Sequence, residues 1–317
     1  MSIAKVTPLL IFTYNRPEHT RQTVQALAYC KRLDECQIII FSDAIKTPED
    51  TKAVQEVRTY IQAWSAGHNA TIIERQENLG LATSISRGVT EYCNSHGRVI
   101  VLEDDLIVHP DFINYMLQAL DHFENCEQVY QISGFMYPLE NASLAETAFM
   151  PFITSWGWAT WQRAWSSFTF DIQDVEKNLK DKKWIKRFDI NNTYDFSHML
   201  KRFYFGKRTA WAIFWYYAVF QNHGLALYPR ETLVKNIGHD GSGMHCGPDE
   251  RKNNLPIDLD RQFLSDPVVF PSEINIDQDT FSSVRRYFRK DKWKGSKNRM
   301  QYYIKRVIPK LKELLLK

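Results

Sequence analysis

Arg98-Val99-Ile100-Val101-Leu102-Glu103-Asp104-Asp105-Leu106-Ile107-Val108 is the stretch whose reading decides the fold of this 317-residue chain. Val99 to Leu102 form a short, β-branched apolar run, the pattern of a buried strand. Three consecutive acids end the run, and a second apolar run follows at once. Adjacent carboxylates repel one another and sit poorly beside a core unless something compensates them. An acidic strand edge facing water is one solution. A hard divalent cation shared with a phosphate is the other, because Mg²⁺ and Mn²⁺ take oxygen ligands and are often held by one or two carboxylates plus substrate phosphates. On an extended backbone successive side chains alternate, so Glu103 and Asp105 are expected on one side and Asp104 on the other.

Upstream, residues 6–13, 36–41 and 70–73 are apolar strand-like runs, separated by helical patterns over 18–30 and 48–65. Strands alternating with helices argue for βαβ units and a mostly parallel sheet, with ligands bound beyond the carboxyl ends of the strands. Thr13, Asp43 and the three acids all terminate such strands, so one crevice can collect them. Downstream, residues 110–124 read as a helix with Phe112, Met116, Leu120 and Phe123 on one face, and 129–133 as a strand. Residues 171–207 are charged and helical in composition, and 211–220 are apolar all round, the mark of a buried helix. Short strands are expected at 225–228 and 232–234. Between these lie four Trp within ten residues: Trp156, Trp158, Trp161 and Trp165. Trp156-Gly157-Trp158 suits a turn that stacks on a sugar face; a packed aromatic cluster is the competing reading. The glycine-rich loop 236–246 carries His239, Asp240 and His245.

Leu102-Glu103-Asp104-Asp105-Leu106, followed by His109-Pro110-Asp111-Phe112, resembles the metal-binding acidic motif of GT-A nucleotide-sugar glycosyltransferases. The form is that of the N-acetylglucosaminyltransferase I family and its bacterial, family-2-like relatives, and the resemblance covers about residues 5–250. It implies an α/β fold of GT-A (Rossmann-like) type, a mostly parallel sheet flanked by helices. It implies Asp105 as the direct ligand of Mn²⁺ or Mg²⁺, Asp104 at the ribose and Glu103 assisting from behind. Thr13-Tyr14-Asn15-Arg16 resembles the first nucleotide-contacting loop, and Asp43 matches the acid that accepts from uracil N3–H, with a turn or helix-capping role as the alternative. Glu77-Asn78-Leu79-Gly80 resembles the family's Asn-x-Gly segment, where Gly80 allows close backbone approach to a ligand. Arg87, further on, would pair with the pyrophosphate or an acid of the motif, or stand as a plain surface arginine. Trp156, Gly157 and Trp158 are implied at an acceptor subsite, and His239 or His245 near the metal or the pyrophosphate.

The implied reaction moves a hexosyl or N-acetylhexosaminyl group from a UDP-sugar to a hydroxyl of a glycan or lipid-linked glycan, in surface polysaccharide or lipopolysaccharide synthesis. In the family pattern an acid follows a Trp of the C-terminal half; here Trp211 is followed by Ala212-Ile213-Phe214. That departure leaves Asp240, then Asp195, as candidates for the base of an inverting reaction, while a retaining one needs none. Two other classes remain open. A nucleotidyltransferase would show a glycine- and base-rich loop after the first strand, and residues 13–17 contain no glycine. An inactive sugar- or lipid-binding module is argued against by the intact triplet and for by the missing base.

Composition adds partners. Aromatic residues make up 14% of the chain, with nine Trp, which favours ring platforms. Five cysteines, odd in number and irregularly spaced, read as reduced thiols of a cytoplasmic protein. Residues 2–6 lead straight into a strand, with no leader expected, and no apolar run approaches the roughly 20 residues of a membrane span. Residues 283–317 hold 13 Lys/Arg against 2 Asp/Glu, leaving 27 against 35 elsewhere, so a +11 tail follows a −8 body. Bases interleaved with apolar residues suit an anionic membrane surface, with a solvated helix packed on the body or on another subunit as the competing reading. Nucleic acid ranks below it, since the chain has neither an RNA-recognition signature nor a helix-turn-helix pattern. The expected organisation is a catalytic domain over 1–250 (nucleotide half 1–135, acceptor half 136–250), a linker over 251–282 and a basic amphipathic helical tail over 283–317, with peripheral attachment to the inner face of the plasma membrane and room for an oligomer.

Overall fold

The structure, a computed structural model, describes residues 6–140, 145–206, 210–242 and 257–302, with side chains to 290. Strand β1 (Thr7–Thr13) is followed by helix α1 (Pro17–Leu27), β2 (Cys36–Ser42), α2 (Thr51–His68), β3 (Thr71–Glu74), α3 (Leu81–His96) and β4 (Arg98–Glu103). The four strands are parallel, with β2 between β1 and β3 and β4 on the other side of β1. Their runs are continuously apolar because both faces of the sheet are covered. Leu9, Ile11, Ile38, Ile40, Ile100 and Leu102 enter one core, with Val24 of α1 and Val57 of α2. Leu10, Phe12, Ile39, Phe41, Val99 and Val101 enter the other, with Ile85 and Val89 of α3.

After β4 the chain turns through Asp104 and Asp105 into the short β5 (Leu106–Val108), then into α4 (Phe112–His122). The second half supplies β6 (Val129–Ser133), β7 (Thr147–Met150) and β8 (Trp158–Trp161), then the helical segments α5 (Gln162–Trp165), α6 (Val175–Asn178), α7 (Lys182–Phe188) and α8 (Phe196–Tyr204). The buried helix α9 (Trp211–Gln221), β9 (Leu225–Pro229), β10 (Val234–Asn236) and α10 (Gln278–Tyr302) complete it. The large sheet has the order β3-β2-β1-β4-β8-β6-β9-β7, and β10 pairs antiparallel with β5. β8 is antiparallel to both β4 and β6, so the sheet is parallel in its first half and mixed in its second.

β8 corrects one expectation. Trp158 begins a strand inside the sheet, paired with Val101 and Ser133, and is fully buried. It stacks on Trp211 at 5.0 Å and lies 5.6 Å from Trp165, so it is core and offers no face to a sugar. Trp161 and Trp165 are buried as well. Residues 257–277, expected within a linker, bring Leu264 and Val268 into the core that contains α4, and Ile276 makes a parallel bridge to Phe149 of β7. Helix α10 docks through Val284 and Phe288, the latter 4.7 Å from Tyr137 and 4.8 Å from Tyr194. Among the described residues Cys30, Cys36, Cys93 and Cys126 are free thiols. His245 and the 303–317 part of the tail lie outside the described residues.

Candidate active site

The carboxyl ends of β1, β2, β3 and β4 all point to one edge of the sheet because the strands are parallel. Thr13 does not face that edge as a ligand group: its hydroxyl donates to Phe41 O at 3.1 Å and ties β1 to β2. The next residues are fixed from the β2 side. Tyr14 Oη donates to Asp50 Oδ2 at 2.8 Å and accepts from Lys46 N at 3.1 Å, and Asn15 Nδ2 donates to Asp50 Oδ1 at 2.6 Å. Burial, with the bonded Asp50, pushes the Tyr14 phenol up to about 12.

Asp43, at the end of β2, is buried and accepts three backbone N–H groups: Ala44 and Leu79 on Oδ1 at 3.0 and 2.9 Å, and Gly80 on Oδ2 at 2.9 Å. These bonds tie the end of β2 to the segment that leads into α3, a turn-fixing role, and Oδ2 keeps acceptor capacity beyond its one N–H. Asn78 Nδ2 donates to Ala44 O at 2.6 Å, closing the same junction. Gly80 has φ +70 as it leads into α3, and a Cβ there would meet open space, so its backbone is exposed to a ligand's approach. Arg87 stands exposed on α3. The basic group that meets the acids is Arg16.

Asp104 and Asp105 make a turn, not an extended run, so the expected alternation fails and both carboxylates face the same guanidinium. Arg16 Nη1 donates to Asp105 Oδ2 at 2.9 Å, and Nη2 donates to Asp104 Oδ1. Thr23 of α1 fixes the turn: its hydroxyl donates to Asp104 O at 2.8 Å and accepts from Leu106 N at 3.1 Å. Burial pushes the Asp104 carboxyl up while Arg16 pulls it back. Glu103 is pushed up by burial and by the Asp105 charge. Burial works against the Arg16 charge, but Asp104 and Asp105 outweigh it and hold that guanidinium above its ordinary range.

The loop after β10 closes on this group. Ile237 N donates to Asp105 O at 2.9 Å. Gly238 lies so close that a Cβ there would stand 2.1 Å from Asp105 Oδ2. His239 is buried, its ring 5.4 Å from Trp156, which packs at 4.4 Å on Phe135. Trp156 is half-buried beside this loop, and Gly157, at φ +61, has no room for a side chain against Val234 and Phe112. Exposed Asp240 accepts Ser242 N and Oγ at 2.9 and 2.7 Å and pairs with His19 Nε2 at 3.2 Å. The Ser242 hydroxyl holds the Asp240 carboxyl below its ordinary value. Asp195 sits elsewhere, exposed ahead of α8, a helix that packs on α7 and α9. Sequence reasoning missed His19, Thr23, Asp50 and Gly238. Arg16, His19 and Thr23 do recur at helical spacing, a signal that one face of α1 looks onto the acids.

Among the described residues no group of three or more His, Cys, Asp or Glu side chains is arranged to hold a metal ion. Asp104 and Asp105 supply the carboxylate oxygens that a divalent cation takes, in a ligand set that a bound phosphate would help complete, a common arrangement for Mg²⁺.

Residues 9–179, from β1 to beyond β8, match the sequence model of glycosyl transferase family 2. The chain belongs to that family. The chain has the GT-A arrangement, with Asp43 and the acid pair inside the matched span. Among solved structures it is similar to S. aureus TarS 1-349, at 10% identity and TM-score 0.44, covering 72% of this chain and 59% of that one, less than two thirds of its length. It is similar to the mannosyltransferase PcManGT from Pyrobaculum calidifontis, in complex with GDP-Man and Mn²⁺, at 11% identity, TM-score 0.40 and 68% of each chain. It is also similar to GalNAc-T7 with UDP, GalNAc and Mn²⁺, at 11% identity and TM-score 0.43, over 72% of this chain and 43% of that one. No curated protein matches the chain. Among its described residues no helix is long and apolar enough to cross a membrane.

Proposed function

We propose that this glycosyltransferase moves a hexosyl or N-acetylhexosaminyl group from a UDP-sugar to a hydroxyl of a glycan or lipid-linked glycan, in surface polysaccharide or lipopolysaccharide synthesis. The observation that carries the reading is the convergence of Asp43, Arg16 and the Asp104–Asp105 pair at one edge of the parallel strands. Asp43 Oδ2 accepts the uracil N3–H, beside the open backbone of Gly80. Asp105, with Asp104, would hold Mn²⁺ or Mg²⁺, and His239 or His245 would join from the loop after β10. Bound there, the cation neutralises charge on the departing diphosphate. Trp156 and Gly157 border the acceptor side. Asp240 is the preferred base: held low by Ser242, it is ionised at neutral pH and open to solvent. The basic tail would hold the enzyme on an anionic membrane at the cytoplasmic face, at about 1 kcal/mol per Lys or Arg near the headgroups.

Calorimetric binding of UDP, with GDP and CMP as controls, with and without Mn²⁺, on wild type and Asp105→Ala tests this. UDP binding that needs both Mn²⁺ and Asp105 is expected. Binding of no nucleotide, or binding indifferent to Asp105, would sink the donor-site reading.

A further inference from the structure

The acid pair already holds a cation supplied from within the chain. Arg16 spans it, one amino group to each carboxylate, with its side chain 18% exposed and those of Asp104 and Asp105 only 5% and 12% exposed. The Asp105 oxygen that takes Arg16 Nη1 is also the oxygen against which Gly238 packs; a Cβ on Gly238 would lie 2.1 Å from it and 3.0 Å from Nη1. That oxygen is enclosed by Arg16 and the loop. A divalent cation held by Asp105 would share that carboxylate with the Arg16 guanidinium, and like charges so placed repel strongly at low dielectric. Arg16 is not locked in place as a core arginine would be: it sits at the start of α1, partly exposed, on a long side chain whose only described polar partners are the two acids.

We propose that Arg16 is the resident counter-cation of the acid pair, that it competes with the divalent metal for Asp105, and that it transfers to the donor's diphosphate when metal and nucleotide enter together. The proposal rests on the donor-site reading above for the identity of the ligands. It makes metal and nucleotide strongly cooperative. Metal alone must evict Arg16 with nothing to receive it, whereas the diphosphate offers the guanidinium a new anionic partner suited to its fork of donors. Coupling of this kind is reciprocal.

The test is calorimetric titration of Mn²⁺ without nucleotide, and again with saturating UDP, on wild type, Arg16→Met and Arg16→Lys. Arg21→Met is the control: it removes the same charge from α1, where Arg21 pairs with Glu18 and not with the acids. Without nucleotide, Arg16→Met is expected to bind Mn²⁺ at least about tenfold tighter than wild type, and Arg21→Met to match wild type. The enhancement of Mn²⁺ affinity by UDP is expected to shrink by at least about tenfold in Arg16→Met, because the group that would meet the diphosphate is gone. Arg16→Lys, which keeps the charge but cannot bridge both acids, is expected to lie between, and it serves if Arg16→Met does not fold. Mn²⁺ affinity that is unchanged or weaker in both Arg16 variants overturns the proposal. Wild type that binds Mn²⁺ and UDP normally alongside such a result would leave the donor-site reading intact. Failure of wild type to bind UDP would sink that reading, while the nucleotide-free titration still decides the role of Arg16.

Discussion

Gly238 is held to glycine by space. A methyl group there would be driven onto the Asp105 carboxylate, so Gly238→Ala must displace the acid, Arg16 or the loop. Overpacking of this kind costs about 1–3 kcal/mol where the neighbours are fixed, and less where an exposed loop can yield. The expected outcome is a folded protein with circular dichroism unchanged and Mn²⁺-dependent UDP affinity reduced at least about tenfold, about 1.4 kcal/mol; unaltered affinity would show that the loop does not touch the metal end of the site. The sequence made the acids and Asp43 legible because strand ends in a parallel sheet are where polar groups gather. It did not make their partners legible. Asp43 is bonded by N–H groups 36 and 37 residues away, and Arg16 meets acids 88 and 89 residues away. The alternation assigned to the triplet failed because a turn, not a strand, carries its last two members.

Helix α10 starts five residues before the expected 283 and belongs to the body before it becomes a tail. Val284 and Phe288 lie one turn apart on one face and enter the core shared with α9 and the second-half strands. Truncating Phe288 removes ring contacts with Tyr137 and Tyr194 and leaves a cavity. Phe288→Ala is expected to cost about 3–5 kcal/mol, read as a lowered urea midpoint; a midpoint within error of wild type would mean that α10 does not contribute to the cooperative fold. The element list was largely readable: β1, β2, β4, β6 and α9 follow from apolar runs with clear ends. β7 was not, because four residues carry too little pattern to separate a strand from a loop. β8 was hidden by Gly157, whose turn was read as continuing through Trp158, when the chain enters the sheet one residue later.

The whole molecule meets at His109. Its backbone N–H donates to Leu233 O at 2.8 Å, its carbonyl accepts from the Cys30 thiol at 3.4 Å, and its ring lies 5.6 Å from Phe263. Nδ1 accepts Asp111 N at 3.0 Å, with Asp111 and Lys31 as the nearby charges. Burial pushes the His109 pKa below its ordinary value, only partly opposed by Asp111. The unfolded chain therefore binds this proton more readily than the folded one. The stability from neutral His109 is fully present above about pH 6.5 and is lost as pH falls toward the depressed folded value. Melting temperature is expected to drop from pH 7 to pH 5, with a shallower slope in His109→Gln; parallel slopes would assign the drop to other groups. The same long-range closure has a consequence in time. β7 is the last strand of the sheet, and an edge strand is a template for unwanted pairing until something covers it. β9 covers one side of it, ending at Pro229, but the other side is met by Ile276, Asp277 N bonded to Phe149 O, and Val269 O bonded to the Thr147 hydroxyl. At translation rates of about 5–20 residues per second, the newly paired edge stays bare on the ribosome for roughly 2–10 s before its own cover is synthesised. In that interval a chaperone, or a neighbouring nascent chain on the same message, has its chance to bind.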